Sequence, residues 1–413
     1  MLNEATIFKG AFWSSLGFVF ERAMFFLLPV FIAPLGPASL GIFYLSLRIF
    51  NTIIAFPVTA LNIHYVYKLR HYLEDQKSMQ FEEEAAVLLK VYFMAGMLLG
   101  IFFFTVIALF SPLKALLFLA LAIPFAIINS YMMLLLRLLQ RFNRVLIIQM
   151  VLMFGFQLTY LLIFIRLFNM GIAAAFFGQL LMNVLISIAA TFFLFNRLNL
   201  LGFFRKIALK MYLLSPLSFA NVLFITLFPI GDIVVVALLF GFSALGHYII
   251  LLYLPLIIRI IPPTLFSMFI HVAAVKTRAS EDITVVSKQV FKWILIMTTP
   301  LFIIIMLYPE FLLSFLFHKS LVTDLNITRL LAVSFFIQSI SWTAGRILLA
   351  KNKRLSFVLS NYLLGLMFII LSLILGPTLG LLGIAISYLI FSILDALVKY
   401  VLTVILAKVN LLG

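Results

Sequence analysis

Long apolar stretches of the chain alternate with short polar segments from one end to the other. A helix that crosses the hydrocarbon core of a membrane needs about 20 mostly apolar residues, and twelve stretches are long enough. They run over 9–33, 37–66, 86–110, 114–136, 145–167, 171–194, 212–238, 243–270, 291–316, 327–349, 356–376 and 380–404. None has the period-two alternation of a barrel strand, so the pattern predicts an all-α polytopic membrane protein with twelve transmembrane helices.

The composition supports this prediction and removes several other classes of protein. Hydrophobic residues make up 65% of the chain and charged residues 10%, whereas a soluble protein has about 45–50% and about 25%. Cysteine is absent, which excludes disulfides and thiolate metal sites. The five histidines form no metal-ligand spacing, and no cofactor is expected.

The positive charge is concentrated in one set of loops. Of the 29 Lys and Arg residues, 17 lie in or beside alternate loops, and the opposite loops are short and nearly uncharged. The positive-inside rule therefore predicts that the basic loops and both termini lie in the cytoplasm. This explains the net charge of +16 without a nucleic-acid partner.

Three sequence patterns occur twice. LGPASLGIFY from Leu35 returns 205 residues later as FGFSALGHYI from Phe240, and RLLQRFNR from Arg137 returns 209 residues later as RILLAKNK from Arg346. A looser pair sets GIAAA at Gly171 beside GIAIS at Gly383. The chain is therefore predicted to contain two copies of one unit.

The repeat predicts the domain organisation. Residues 1–200 are expected to form one six-helix lobe and residues 201–413 a second, pseudo-symmetric one. An even number of spans gives both copies the same orientation in the membrane. Transporters built from such repeats bind substrate between the halves, so a central cavity is expected there.

Charged residues at membrane depth cost about 2.5–3.5 kcal/mol each on insertion scales, so each one demands a reason. Arg48 lies about eleven residues into its span, near the midplane at about 1.5 Å per residue. Arg22 and Arg259 are also deep. These three arginines are predicted to line a water-filled space between the halves, although Arg22 has the alternative of compensation by Asp232 or by its neighbour Glu21.

Two further predictions concern charges nearer the ends of spans. Arg346 lies near the cytoplasmic end of its helix, where it either contacts a substrate or extends to the interface. Asp395 and Lys399, four residues apart, are expected to form an internal ion pair. Deep polar residues, among them Asn129, Asn183 and Gln338, are expected to make hydrogen bonds between helices.

Catalytic signatures are missing. The chain has no GxxxxGK[ST] loop for a nucleotide, and no HExxH or GxSxG motif. The segments between spans are too short to hold a catalytic domain. A transporter is favoured over an enzyme, and the repeat and deep charges disfavour a structural scaffold or a glycosyltransferase subunit.

The repeated Gly-x-x-x-x-Gly turns (Gly36 to Gly41, Gly241 to Gly246) resemble the first turn of polysaccharide exporters. The basic turns from Arg137 and Arg346 and the final GLLGIAISY are similar as well. Together they resemble the Wzx-type flippases of the multidrug/oligosaccharidyl-lipid/polysaccharide (MOP) exporter superfamily, over essentially the whole chain. Within it, the O-antigen and enterobacterial-common-antigen flippases are most similar.

The resemblance implies a MATE-like fold in the bacterial inner membrane and the movement of undecaprenyl-diphosphate-linked oligosaccharide to the periplasmic leaflet. It implies Arg22, Arg48, Arg259 and Arg346 as ligands of the anionic headgroup, and a polysaccharide polymerase and a chain-length regulator as candidate partners. Glu21 and Asp232 are the candidate carboxylates for coupling to an ion. The alternative is a cation-coupled multidrug extruder of the same superfamily, for which acidic cavity residues would be expected.

Overall fold

The computed structural model describes most of the chain. Its described residues are 13, 16–17, 20, 27–75, 77–139, 141–168, 170–194, 222, 230–277, 283–317, 324–350 and 354–409. Most of the predicted spans 9–33 and 212–238 lies outside these ranges, and so do Glu21 and Arg22.

The described residues are helical almost throughout. The helices are α1 Pro37–Glu74, α2 Ser78–Phe110, α3 Leu117–Leu138, α4 Phe142–Leu167, α5 Gly171–Leu194, α6 Gly231–Thr277, α7 Ile283–Leu307, α8 Pro309–Leu316, α9 Leu325–Ala350, α10 Arg354–Leu379 and α11 Leu381–Val409. α4 is continuous but alternates between α-helical and wider π-helical segments, the latter at Ile148–Phe156 and Leu162–Leu167.

Ten helical segments among the described residues are long and apolar enough to cross a membrane. They correspond to the predicted spans two to six and eight to twelve. Their lipid-facing character is visible in side chains such as Leu98, Phe192 and Leu363, each 68–79% exposed. The predicted fold class, an all-α multi-pass membrane protein, is confirmed.

Contacts divide the chain into two units. The amino-terminal unit contains the described residues of Leu16–Ile32 and Ser46–Leu227, and the carboxyl-terminal unit contains those of Ala33–Leu45 and Phe228–Gly413. The start of α1 thus packs with the second copy of the repeat. The predicted lobes 1–200 and 201–413 stay a prediction.

In the amino-terminal unit, α3 and α5 are joined by a buried amide network. The Asn129 side chain donates to the main-chain oxygen of Asn183 at 2.8 Å and to its Oδ1 at 3.2 Å. Ser187 in turn donates to Asn129 Oδ1 at 2.7 Å. Inter-helix hydrogen bonds of this kind join helices in a medium where apolar packing gives little preference for one partner.

In the carboxyl-terminal unit, α9 and α11 are joined by an equivalent hydrogen bond. Gln338 Nε2 donates to Ser392 Oγ at 3.1 Å. Gln338 lies 209 residues after Asn129, and Ser392 lies 209 residues after Asn183. The predicted role of these polar residues is confirmed, and the bond occurs in both copies at one constant offset.

Glycine conformations reproduce the repeat in the backbone. Gly36 and Gly241, 205 residues apart, have φ of 98° and 80°, and Gly171 and Gly380, 209 apart, have φ of 65° and 64°. Positive φ is readily adopted only by glycine, so these four positions need it. The residue with the backbone conformation of Gly171 is thus Gly380, whereas the sequence pattern had set Gly383 beside it.

The starts of α1 and α6 cross within the carboxyl-terminal unit at two equivalent glycines. A Cβ on Gly41 would fall on the carbonyl oxygen of Phe242, and a Cβ on Gly246 on that of Pro37. Pro37 and Phe242 are 205 residues apart, as are Gly41 and Gly246. The crossing is therefore self-complementary, because each copy presents the same two positions to the other.

Candidate functional site

The best-defined cluster of deep polar residues begins at the bend in α6. Gly241, with φ 80° and ψ 179°, interrupts the helix and reverses the direction of the chain. As a result Tyr248 donates its hydroxyl proton to Asp232 Oδ2 at 3.3 Å, although 16 residues of straight helix would span about 24 Å. Asp232 is 3% exposed and Tyr248 is fully buried.

Arg259 extends this cluster along α6. Its guanidinium lies 5.3 Å from the centre of the Phe335 ring on α9, within the range of a cation–π contact. Asp232 lies close enough to interact electrostatically with its charge. Arg259 itself is half-buried.

Aromatic rings from α9, α10 and α11 stand behind the guanidinium. Tyr388 packs edge-to-face on Phe335 at 5.1 Å and on Phe368 at 5.2 Å, and Phe391 closes the group. These rings fix the Phe335 face toward which the cation is held. We call Asp232, Tyr248, Arg259, Phe335 and Tyr388 the Arg259 cluster.

The chemistry available in the Arg259 cluster is recognition of charge. A guanidinium stays protonated at any physiological pH and offers paired donors that match phosphate or carboxylate oxygens. One carboxylate lies near enough to offset part of this charge. Among the described residues there is no group of three or more His, Asp or Glu side chains that could hold a metal ion.

The other predicted site residues are placed separately. Arg48 is half-buried on α1 in the amino-terminal unit. Arg346 lies on α9, and its side chain is outside the described part of the molecule, as are Glu21 and Arg22. The structure thus brings Asp232 and Arg259 into one cluster. Because the two residues are 27 positions apart in the sequence, the sequence alone did not show that Arg259 has an acidic neighbour.

Sequence reasoning missed Tyr248, Phe335 and Tyr388. Aromatic residues are so common in this chain, with 47 Phe and 14 Tyr, that composition alone singles out none of them. The usable signal was the repeat, because Tyr388 lies 209 residues after Gln179, a buried polar residue of α5.

The predicted ion pair between Asp395 and Lys399 is confirmed. Lys399 Nζ is 2.7 Å from Asp395 Oδ1, with side-chain exposures of 10% and 4%. Ser341 donates to Asp395 Oδ2 at 2.6 Å, and Lys399 also faces the Phe357 ring at 5.6 Å. Both charges are compensated locally, which favours a structural role.

Comparisons with known proteins identify the fold. Neither a protein-family model nor a curated protein sequence matches the chain. An inward-facing multidrug resistance MATE family transporter of the MOP superfamily superposes with a TM-score of 0.77 at 18% identity, over 94% of this chain and 96% of that one. An outward-facing MATE transporter gives 0.71 at 16% identity, over 98% and 96%.

A third similar structure is a MOP superfamily transporter from Pyrococcus furiosus, described as having a binding pocket of reverse polarity that suggests a different function. It gives a TM-score of 0.70 at 16% identity, over 96% of this chain and 95% of that one. At these identities the similarity establishes the fold. The chain has the fold of the MATE transporters.

Proposed function

We propose that this protein is a transporter of the MOP superfamily that moves a lipid-linked oligosaccharide with an anionic diphosphate headgroup across the inner membrane. The observation that carries the proposal is the Arg259 cluster, in which a guanidinium lies deep in a membrane helix against aromatic rings. The MATE fold supports transport as the general activity.

The arginines are the proposed ligands of the headgroup. Arg259 and Arg48, with Arg22 and Arg346, offer paired N–H donors to phosphate oxygens, which lowers the cost of carrying a diphosphate through the membrane. The tyrosine hydroxyls of the Arg259 cluster are suited to sugar or phosphate oxygens. The two lobes would alternate in exposing these groups to either side.

The direction of transport follows from charge. An inside-negative potential favours outward movement of each negative charge by about 2.3 kcal/mol per 100 mV. Asp232, and Glu21 in the undescribed part of the chain, are proposed to couple transport to an ion in addition. In this role Asp232 would exchange its cation when Arg259 binds substrate.

Export of cationic drugs is the second candidate function. Asp232 favours it, because a buried carboxylate suits a cationic ligand, and so does the multidrug character of the similar MATE proteins. Against it, Arg259 in the same cluster would repel a cation. The two functions can be told apart by mutation. Loss of Arg48 or Arg259 should impair transport of an anionic substrate, whereas loss of Asp232 should impair export of a cationic one.

Replacing Arg48 or Arg259 by alanine is expected to reduce surface polysaccharide at least tenfold and to accumulate lipid-linked oligosaccharide on the cytoplasmic side, since each bidentate ion pair is worth more than about 1.4 kcal/mol. Lysine at the same positions should restore part of the activity, because charge survives but the fork geometry does not. Both quantities are measured on cells with matched amounts of the protein in the membrane.

Arg141→Ala is the matched control, since Arg141 precedes α4 in a basic turn. Unchanged polysaccharide in both the Arg48→Ala and Arg259→Ala variants would reject the proposal. Higher drug sensitivity in an Asp232→Asn variant, with normal polysaccharide, would favour drug export instead.

A further inference from the structure

Two glutamines inside the amino-terminal unit take no part in the contacts described above. Gln157 lies near the middle of α4 and is 5% exposed, and Gln179 lies in the first half of α5 and is 4% exposed. Unlike the neighbouring amides of Asn129 and Asn183, neither side chain makes a hydrogen bond to any residue that the structure describes. A buried amide without a partner costs free energy, which the hydroxyl groups of a ligand would recover.

The repeat shows that Gln157 is turned inward. At the positions 209 residues later, the second copy has Leu366 for Gln157 and Phe368 for Thr159. Leu366 is 57% exposed and Phe368 is 1% exposed, so in α10 residue 366 points outward and residue 368 points inward. In α4 the order is reversed, because Gln157 is buried and Thr159 is exposed.

The winding of α4 explains this reversal. Its π-helical segment Ile148–Phe156 ends at the residue before Gln157, whereas α10 is α-helical over its whole length, Arg354–Leu379. A π-helical turn holds more residues than an α-helical turn, so the residues that follow such a segment point in a different direction. Segments of this kind are rare and frequently lie at functional sites. α4 thus departs from regular winding just where it directs a polar side chain into the unit.

Gln179 lies at the counterpart of the Arg259 cluster in the first copy. It precedes Tyr388 by 209 residues, and the buried Ala126 precedes Phe335 by 209 residues. Ile54, 205 residues earlier, stands at the position of the cluster's arginine. The first copy therefore has a neutral amide at the place of a phenol, and it has neither the charge nor the ring that faces it.

The two amides lie on helices that touch. α4 and α5 meet at Gly178, where an added Cβ would be 2.6 Å from the Tyr160 ring. Gln179 follows Gly178 and Gln157 is three residues before Tyr160, so each amide is within one helical turn of this contact. The helices α3, α4 and α5 have no charged residue over 117–136, 145–165 and 171–194. The surroundings of both amides are therefore uncharged along these three helices.

A primary amide offers an acceptor oxygen and two N–H donors without a net charge. Each hydroxyl of a sugar both donates and accepts, so neighbouring hydroxyls of one ring match both ends of an amide. We propose that Gln157 and Gln179 bind the glycan of the lipid-linked oligosaccharide through its hydroxyl groups. The inference rests on the transport function proposed above, and it assigns recognition of the sugar to the first copy and recognition of charge to the second.

The test is native mass spectrometry of the purified full chain. It is titrated with undecaprenyl diphosphate and, separately, with undecaprenyl-diphosphate-linked oligosaccharide extracted from cells that produce the protein. The wild-type protein is expected to bind the sugar-bearing lipid about tenfold more tightly, since each hydrogen bond to a buried amide contributes several-fold. Gln157→Leu and Gln179→Leu should each reduce this ratio about threefold, and both should leave the affinity for undecaprenyl diphosphate unchanged.

Both substitutions should leave the fold intact, because neither amide is bonded within the described residues and the second copy has Leu366 at the position of Gln157. The unfolding temperature of each variant is expected to be no lower than that of the wild type. A lower value would show that the amide has a structural role and would overturn the proposal. Thr159→Val, on the exposed face of α4, is the matched control and should leave both affinities unchanged.

Arg259→Ala should weaken both lipids about tenfold and preserve the ratio between them. Equal binding of the two lipids by the wild type, or a ratio that survives both glutamine substitutions, overturns the glycan site and leaves the transport function standing. Failure of the wild type to bind either lipid rejects the transport function itself, and the glycan site with it.

Discussion

Replacing Asp395 alone by isoleucine is expected to lower the free energy of unfolding by about 3–5 kcal/mol, the cost of leaving a buried ion without its partner. Lys399, 2.7 Å from Asp395 and 10% exposed, would stay in an apolar environment with a positive charge. The Ser341 hydroxyl would also lose its acceptor. Unfolding in mixed micelles, followed by tryptophan fluorescence, measures the change.

The first copy of the repeat supplies the matched control. At the positions 209 residues before Ser341, Gly345, Asp395 and Lys399 it has buried apolar residues, which are Met132, Leu136, Ile186 and Ala190. A Cβ on Gly345 would lie 2.9 Å from the Phe357 ring and 3.5 Å from the Lys399 side chain, so a leucine there also needs a smaller residue at 357, where the first copy has Ile148. The second copy thus has Gly345 beside Lys399 where the first copy has Leu136 beside Ala190.

A variant with Ser341→Met, Gly345→Leu, Phe357→Ile, Asp395→Ile and Lys399→Ala transfers the apolar set into the second copy. It is expected to recover most of the stability lost by Asp395→Ile, because well-packed apolar residues of similar total volume replace buried ion pairs at little cost. If the single and fivefold variants lose the same free energy, the loss comes from packing at position 395 rather than from the stranded charge.

Replacing Gly246 by alanine is expected to disrupt the crossing of α1 and α6. The added methyl group would overlap the Pro37 carbonyl, a main-chain atom that cannot rotate away like the tip of a side chain. Overpacking costs about 1–3 kcal/mol where side chains can adjust, and we expect at least the upper end of this range here. Gly41→Ala, against the Phe242 carbonyl, should have the same effect because the crossing is self-complementary.

The absence of cysteine in the chain makes this crossing easy to measure. Ala38 and Ser243, 205 residues apart and both exposed, each follow a residue of the crossing. Cysteines at both positions should be joined by a short bifunctional thiol reagent, and Gly246→Ala should reduce the yield at least tenfold. The control is Gly155→Ala, where the new Cβ meets only an ordinary contact at 3.4 Å; an unchanged yield with Gly246→Ala would show that the helices do not approach closely.

The spans and the repeat could be predicted from sequence, since both depend on patterns local to the chain. The Asp395–Lys399 pair was also predictable, because both residues lie on one helix face. The helix-joining role of Asn129 and Gln338 followed from the cost of a lone polar group in lipid.

The Arg259 cluster could not be predicted, because it depends on tertiary geometry. Asp232 reaches Tyr248 only through the reversal at Gly241, and Phe335 and Tyr388 come from helices distant in sequence. The sequence pattern identified Gly241 as part of a repeated turn without revealing which side chains the turn would bring together. The short helix α8 was also missed, since its residues were read as the end of a longer span over 291–316.

Each copy has its own hydrogen bond, donated by a side-chain amide, between equivalent helices. Asn129 donates to Asn183 in the first copy, and Gln338 donates to Ser392 in the second. In each bond the donor and the acceptor belong to the same copy. If the gene were split between the copies and the two fragments were produced together, each fragment would insert with this pair of helices already joined to each other.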